Sequence, residues 1–190
     1  MSWPESIGVG LKEWAVVCEA LARGRQMVLL RKGGISEVEG EFRVAHREFL
    51  LFPTYLHQNK LMVKEPERAG VEAWPEEPKV VKLGVVGVVT DIVQLKDRRQ
   101  IDAIDGEHIW TDPLIEMRFG YKPENPLYLM LVRAYRLREE AVVENTPAYA
   151  GCKSWVPLGK EIEVGGAQPA MDEGAYEERR QKIIRSLAGG

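Results

Sequence analysis

Apolar residues recur along the chain at two spacings, and the order in which these alternate sets the expected architecture. Leu11, Trp14, Ala15, Cys18, Leu21 and Ala22 fall at helical spacing and predict a helix over 11–23 that Gly24 ends. A strand over 26–31 follows and breaks at Gly33-Gly34. Residues 36–41 form an acidic loop, and 42–45 alternate apolar with polar positions as a second strand. The run 49–52 is wholly apolar, the pattern of a strand buried on both faces, and Pro53 stops it. The Thr54 hydroxyl is placed to accept a free N–H of a first helical turn, so a short helix is expected over 54–63.

Residues 65–79 carry Pro66, Pro75, Pro78 and five glutamates, a solvated connection. A long β-rich run over 80–95 contains Gly84 and Gly87, which mark a bend, a bulge or a close backbone approach. A short helix fits 97–104. Thr111-Asp112-Pro113 starts another, with Ile115 and Phe119 on its apolar side and Gly120 at its end. A strand is expected over 127–137 and a further extended piece over 141–144. Residues 149–158 form an aromatic-bearing segment, 165–169 a linker, and 172–187 a helix with one apolar edge of Ile183, Ile184 and Leu187. Strands follow one another without regular helical crossovers. That order predicts a single α+β domain with a curved, mainly antiparallel sheet and flanking helices, and argues against a doubly wound parallel sheet.

Composition narrows the function classes. With 190 residues the chain is long enough for a real core. A net charge of −3 supplies no overall basic field, so contact with nucleic acid must come from a local patch. Cys18 and Cys152 make neither a disulfide framework nor a C-x-x-C pair, which suits a reduced compartment. The first residues lack a basic stretch followed by an apolar one, and no apolar run approaches the roughly 20 residues that span a bilayer. The expectation is a cytoplasmic protein with no membrane partner.

Candidate chemistry gathers around 29–58. Arg31, Lys32, Arg43 and Arg47 beside Gly33-Gly34 suit phosphate contact, because glycine lets the backbone come close. The plainer reading is a solvated strand end. Glu37, Glu39 and Glu41 dilute the patch, and Lys60 and Lys64 partly restore it. His46, Glu48 and His57 are a workable metal-ligand or acid–base set, against the reading that the histidines hydrogen-bond in or near the core. Thr54, His57 and Gln58 would share a first helical turn, which is an anion site, with capping by Thr54 as a compatible alternative. Trp155 and Tyr149 offer a stacking face for a base, or close the end of the core. Cys152 fits a small packed residue better than a nucleophile. Asp112 and Glu116 fail the nuclease pattern, since no x-Lys follows Glu116. A dinucleotide fingerprint is absent, and no cofactor is expected.

Leu11-Lys12-Glu13-Trp14, the run from Leu29 through Arg31-Lys32-Gly33-Gly34, His46-Arg47-Glu48-Phe49, Pro53-Thr54-Tyr55 and His57-Gln58 closely resemble the bacterial domain of unknown function 1802 family. The resemblance covers 8–160, which is taken as the domain, with 161–190 as linker and C-terminal helix. The family has no established activity. Some members look fused to a restriction-endonuclease domain of the Mrr type, which implies an association with DNA restriction or modification. A weaker similarity, in a helix followed by the Leu29–Gly34 run and long strands, is to the ASCH and EVE domains. These are PUA-like β-barrels that bind RNA or modified DNA bases, so one form of the expected sheet is such a barrel.

The leading expectation is a nucleic-acid-associated binding module, an accessory of restriction or modification, with DNA or RNA and a restriction-system protein as partners. Arg31, Lys32 and Arg47 would meet the backbone. His46, Thr54, His57, Gln58 and Trp155 would complete recognition. The alternatives are a metal- or His-dependent enzyme using His46, Glu48 and His57, and a small-molecule or protein-binding adaptor without catalysis. The leading reading and the enzyme alternative rest on one juxtaposition, the strand end after Leu30 beside the turn after Phe52.

Overall fold

The structure, a computed structural model, describes residues 3–32, 35–38, 41–151 and 154–189, with backbone alone for 35–38 and 41–42. Strand β1 (Ser6–Trp14) leads directly into α1 (Ala15–Ala22). Then come β2 (Val28–Arg31), the hairpin β3 (Ile35–Val38) and β4 (Glu41–Val44), and β5 (Glu48–Thr54). Two long strands follow, β6 (Val80–Leu95) and β7 (Leu127–Glu144), with α2 (Arg98–Asp102) and α3 (Asp112–Gly120) between them. The chain ends with β8 (Trp155–Glu163), the short β9 (Gln168–Pro169) and α4 (Glu173–Ala188). The fold is α+β. Its seven-stranded sheet has the order β2-β7-β6-β5-β1-β8, with β9 on β7, and β3 and β4 pair separately.

All the pairings are antiparallel except β1 with β5, which run parallel. Strand β5 is buried on both faces, as its unbroken apolar run predicts. Phe49 and Leu51 enter the larger core with α1, β2 and the helices, whereas Leu50 and Phe52 enter a smaller one on the opposite face. Gly87 of β6 answers the close-approach expectation. A Cβ there would lie 2.6 Å from the Phe49 ring. Strand β6 also carries two register shifts, at Leu83/Val85 and Val89/Asp91, and such irregularities add twist to the ribbon it forms with β7.

Four expectations are corrected. The helix over 11–23 begins only at Ala15, because 6–14 form a strand laddered to β5 on one side and β8 on the other. Leu11 is fully buried in that strand, and the two ladders override a helical apolar spacing. No helix spans 54–63. Thr54 closes β5, His57 sits at φ 69°, and only a 3₁₀ turn at Lys60–Met62 remains, capped by Asn59. The 65–79 connection is not wholly solvated. Glu67 and Val71 are buried, and Glu67 pairs with Arg23 at 2.8 Å. The two pieces expected at 127–137 and 141–144 are one strand, and the aromatic segment opens β8.

Helix α4 is tied closely to the sheet. Asp172 caps it by accepting from the Ala175 N–H at 2.9 Å. Tyr176, Ile183 and Leu187 are buried in the larger core. Arg180 makes a bidentate pair with Asp91 of β6, each contact 2.5 Å. No helix among the described residues is long and apolar enough to cross a membrane.

Candidate functional site

Because β1 and β5 run parallel, their C-terminal ends emerge on the same side, with Glu13 opposite Pro53 and Trp14 opposite Thr54. Strand β2 lies at the far end of the strand order from β8, with three strands between it and β1, yet the Arg31 side chain at its end reaches β1. Arg31 Nη1 lies 3.0 Å from Glu13 Oε2, and Arg31 Nη2 donates to the Lys12 carbonyl at 3.1 Å. This side-chain contact joins β2 to β1, which no ladder pairs. Beside it is a cavity of about 630 Å³, also lined by Arg118 of α3 and by the loops around Glu77 and Tyr149.

Charge in this cavity is unbalanced. The Glu13 side chain is 4% exposed and that of Arg31 9%. Both Glu13 oxygens are committed, Oε2 to Arg31 and Oε1 to the Trp14 N–H at 2.8 Å. Arg31 Nε is buried without a partner among the described residues. Arg118 is a second guanidinium in the same wall. No hydrogen bond or ion pair joins it to a described residue, and its Nε is also buried and unpartnered. Burial pushes the Arg118 pKa down, Glu13 opposes that shift, and Arg31 adds to it. Arginine nevertheless keeps its proton in proteins. Of these two guanidinium groups only Arg31 is paired with a carboxylate among the described residues.

The rest of the cavity combines apolar walls with fixed polar groups. Trp14, Phe52, Leu56 and Tyr149 supply the walls, and the Tyr149 ring meets Phe52 edge-on at 5.6 Å. Lys12 Nζ donates to the carbonyls of Tyr149 and, at 3.3 Å, Gly151, so it pins the 147–151 loop to β1. The Glu77 carboxylate accepts from the Tyr55 and Leu56 N–H groups at 3.0 and 3.1 Å, which holds the turn that presents His57 to the cavity. His57 carries the left-handed φ noted above, a conformation uncommon for non-glycine residues.

Of the residues singled out in the sequence, Arg31, Thr54 and His57 line this cavity together. The Thr54 hydroxyl donates to the Glu13 carbonyl at 3.1 Å, so it braces β1 instead of capping a helix. Gln58 is buried and structural. Its Oε1 accepts from the Val16 N–H at 2.9 Å, satisfying the start of α1, and its Nε2 donates to the Glu72 carbonyl at 2.5 Å. Lys32 turns to the end of α3, where its amine donates to the Phe119 and Lys122 carbonyls at 2.8 and 3.1 Å. Arg47 Nε donates to the Val89 carbonyl at 3.1 Å.

His46 packs edge-on against Trp155 at 5.2 Å, and Trp155 meets Phe49 at 5.3 Å. Trp155 and Tyr149 thus contact different partners, and the cavity takes only Tyr149. His46, Glu48 and His57 do not gather. No group of three His, Cys, Asp or Glu side chains suited to a metal forms among the described residues. Gly33, Gly34 and Cys152 lie outside the described residues.

Glu13 and Arg118 are the site residues that the sequence reading missed. Glu13 shares a strand face with Leu11, two residues earlier, which marks it as a buried charge once 6–14 is read as a strand. Arg118 lies three and four residues after the buried Ile115 and Leu114, on the inward face of α3.

The model of a domain of unknown function, DUF1802, matches residues 10–182. The chain belongs to the DUF1802 family. The match runs past β8 and through most of α4. A search of the curated proteins found no match to this DUF1802 chain. Among solved structures it is similar to ASCH from Zymomonas mobilis, at 10% identity over 93% of each chain with a TM-score of 0.43. A likeness of that depth carries neither mechanism nor ligand across.

Proposed function

We propose that this DUF1802 domain is a nucleic-acid-associated binding module whose cavity takes an anionic unit of its ligand. The observation that carries this reading is Arg118, a half-buried guanidinium that lines the cavity with no hydrogen bond or ion pair to a described residue. Buried donors without acceptors are unfavourable by about 1–3 kcal/mol, more when charged, and folded proteins rarely keep them idle. A phosphate offers pairs of oxygens that the paired N–H groups of a planar guanidinium meet bidentately, as a carboxylate also does. Apolar and aromatic walls next to that charge suit the sugar and base that accompany a phosphate.

The enzyme alternative has less support. Glu13, the buried carboxylate of the site, has both oxygens occupied, and the two histidines do not converge. An accessory role in DNA restriction or modification rests on the family resemblance alone.

The test is fluorescence anisotropy with labelled single-stranded RNA and DNA oligonucleotides across a salt series, on wild type and Arg118→Met. Binding that weakens with salt and drops at least tenfold in the variant supports the reading. Absence of binding to either nucleic acid at low salt, or equal binding by wild type and variant, overturns it.

A further inference from the structure

We infer a second interaction surface, outside the cavity: the exposed ring of Trp74 and the carboxylates beside it receive an arginine side chain from a segment of a partner protein. Trp74 stacks on Tyr55 with ring centroids 4.2 Å apart and planes 11° from parallel. One face of the indole is thus covered, yet the residue stays 39% exposed, so what faces solvent is the other face and the edge. Neither Trp74 nor Tyr55 lines the cavity. The backbone that carries the ring is held at several points. Gln58 Nε2 donates to the Glu72 carbonyl at 2.5 Å, and the Trp74 N–H donates to the Tyr55 carbonyl at 3.5 Å. Glu77 accepts from the Tyr55 and Leu56 N–H groups, and Pro75 restricts φ directly after the ring. An exposed indole on so fixed a backbone is a preorganised contact, and tryptophan is among the residues that carry most of the energy at protein interfaces.

Charge decides the occupant. Glu72 and Glu76 stand two residues either side of Trp74 and are exposed, and no ion pair joins them to a described residue. In the same connection Glu65 pairs with Arg68 and Glu67 with Arg23, so the carboxylates around the ring are the ones left without a cation. The next cation along the chain, Lys79, lines the cavity instead. Arg133 covers the rings of Tyr135 and Tyr176, but no cation of the described residues covers Trp74. A ring face beside unpaired carboxylates attracts a cation twice, through the quadrupole of the ring and through the charges. A guanidinium suits both, since its plane lies flat on an indole while its N–H fork reaches a carboxylate. A nucleic-acid base also stacks on an indole, but it brings a phosphate that Glu72 and Glu76 repel. The occupant is therefore opposite in charge to the one proposed for the cavity.

The test follows the Trp74 indole resonance of the isotope-labelled full chain by NMR, assigned through its loss in Trp74→Phe. The chain is titrated with the blocked peptide Gly-Arg-Gly-Arg-Gly, with the same peptide carrying neutral citrulline for arginine, and with a single-stranded RNA octamer. The inference predicts a saturable shift with the arginine peptide and binding of the citrulline peptide weaker by about fivefold or more. Glu72→Gln combined with Glu76→Gln, two exposed changes that leave the ring in place, should weaken the arginine peptide by a similar factor. Trp74→Ala should remove its binding, read from the neighbouring backbone resonances, with folding checked by thermal melting. No shift of Trp74 up to the solubility of the arginine peptide overturns the inference. So does equal binding of the arginine and citrulline peptides, or of wild type and the double Gln variant. A shift of Trp74 by the RNA octamer and not by the arginine peptide overturns it in favour of a base platform.

Discussion

Replacing Glu13 by Gln removes one negative charge from between two guanidinium groups and changes little else in shape. The amide oxygen can still accept from the Trp14 N–H, so the local backbone keeps its bond. What is lost is the partner of Arg31, whose side chain is 9% exposed and cannot turn out to water without opening the seam between β2 and β1. Removing one member of a buried pair destabilises by about 3–5 kcal/mol, mainly because the other charge is left uncompensated. That is a large part of the roughly 5–15 kcal/mol that holds a domain folded. With a urea slope of about 2 kcal/mol per molar, the unfolding midpoint should fall by about 2 M with the slope unchanged. Arg118 sharpens the test. In Glu13→Gln the two guanidiniums repel with nothing between them, so adding Arg118→Met should recover part of the loss, and the cycle should couple by about 1 kcal/mol or more. A midpoint shift equivalent to less than about 1 kcal/mol, the size of an exposed ion pair, would refute the seam as a desolvated latch. Additive single losses would refute the claim that Arg118 feels Glu13.

His108 is fully buried, and its pKa is pushed down to about 4 from 6.5 by desolvation. A depressed histidine pKa favours the neutral folded form, so its stabilisation is present above pH 6.5 and is lost as pH falls towards 4, by about 3 kcal/mol in all; His108→Leu should flatten that limb in pH-resolved melts, and an unchanged slope would contradict the assignment. Gly87→Ala places a methyl 2.6 Å from the Phe49 ring and should destabilise by about 1–3 kcal/mol in chemical denaturation, with a neutral result showing that the β5–β6 contact can relax. Arg180→Met breaks the bidentate contact to Asp91 and should reduce stability by about 1.5–3 kcal/mol. The same variant should raise amide exchange in α4, and exchange confined to the helix end would show that the apolar edge holds α4 alone.

The strands were legible where burial is two-sided or where the run is long. The 49–52 run is unbroken because both faces of β5 are covered, and 80–95 stays extended because β7 pairs with it almost throughout. Segment 6–14 was misread for a physical reason. Leu11 and Trp14 meet a helical spacing and a strand equally well over so few residues, and the ladders to β5 and β8 that decide the matter are distant in sequence. That misreading hid Glu13. On a helix it would lie on a polar face. On β1 it points to the core and has to find a cation. Arg31, Thr54 and His57 line one cavity, but the Arg31 tip is engaged in an ion pair with Glu13, so the two segments meet without presenting a free basic strand end. Lys32, Arg47 and Gln58 were drawn instead to backbone carbonyls and N–H groups whose positions no local pattern reveals.

Net charge shows the same limit at the scale of the whole chain. A formal charge of −3 argues against a broad basic surface, and the structure is consistent with a different use of cations. Arg31 is buried and Arg118 half-buried beside one cavity, where Coulomb interactions are stronger than in bulk water. Such a site gives little long-range steering. It discriminates at contact, through the match between buried donors and the oxygens presented to them. Arg31 alone joins β2 to β1, through Glu13 and the Lys12 carbonyl, and Arg118 makes no ion pair with a described residue. An anion beside Arg118 would compensate its charge without taking Glu13 from Arg31. A ligand of the right charge should raise the unfolding midpoint by an amount that grows with its concentration over its Kd, and a neutral analogue of the same shape should not.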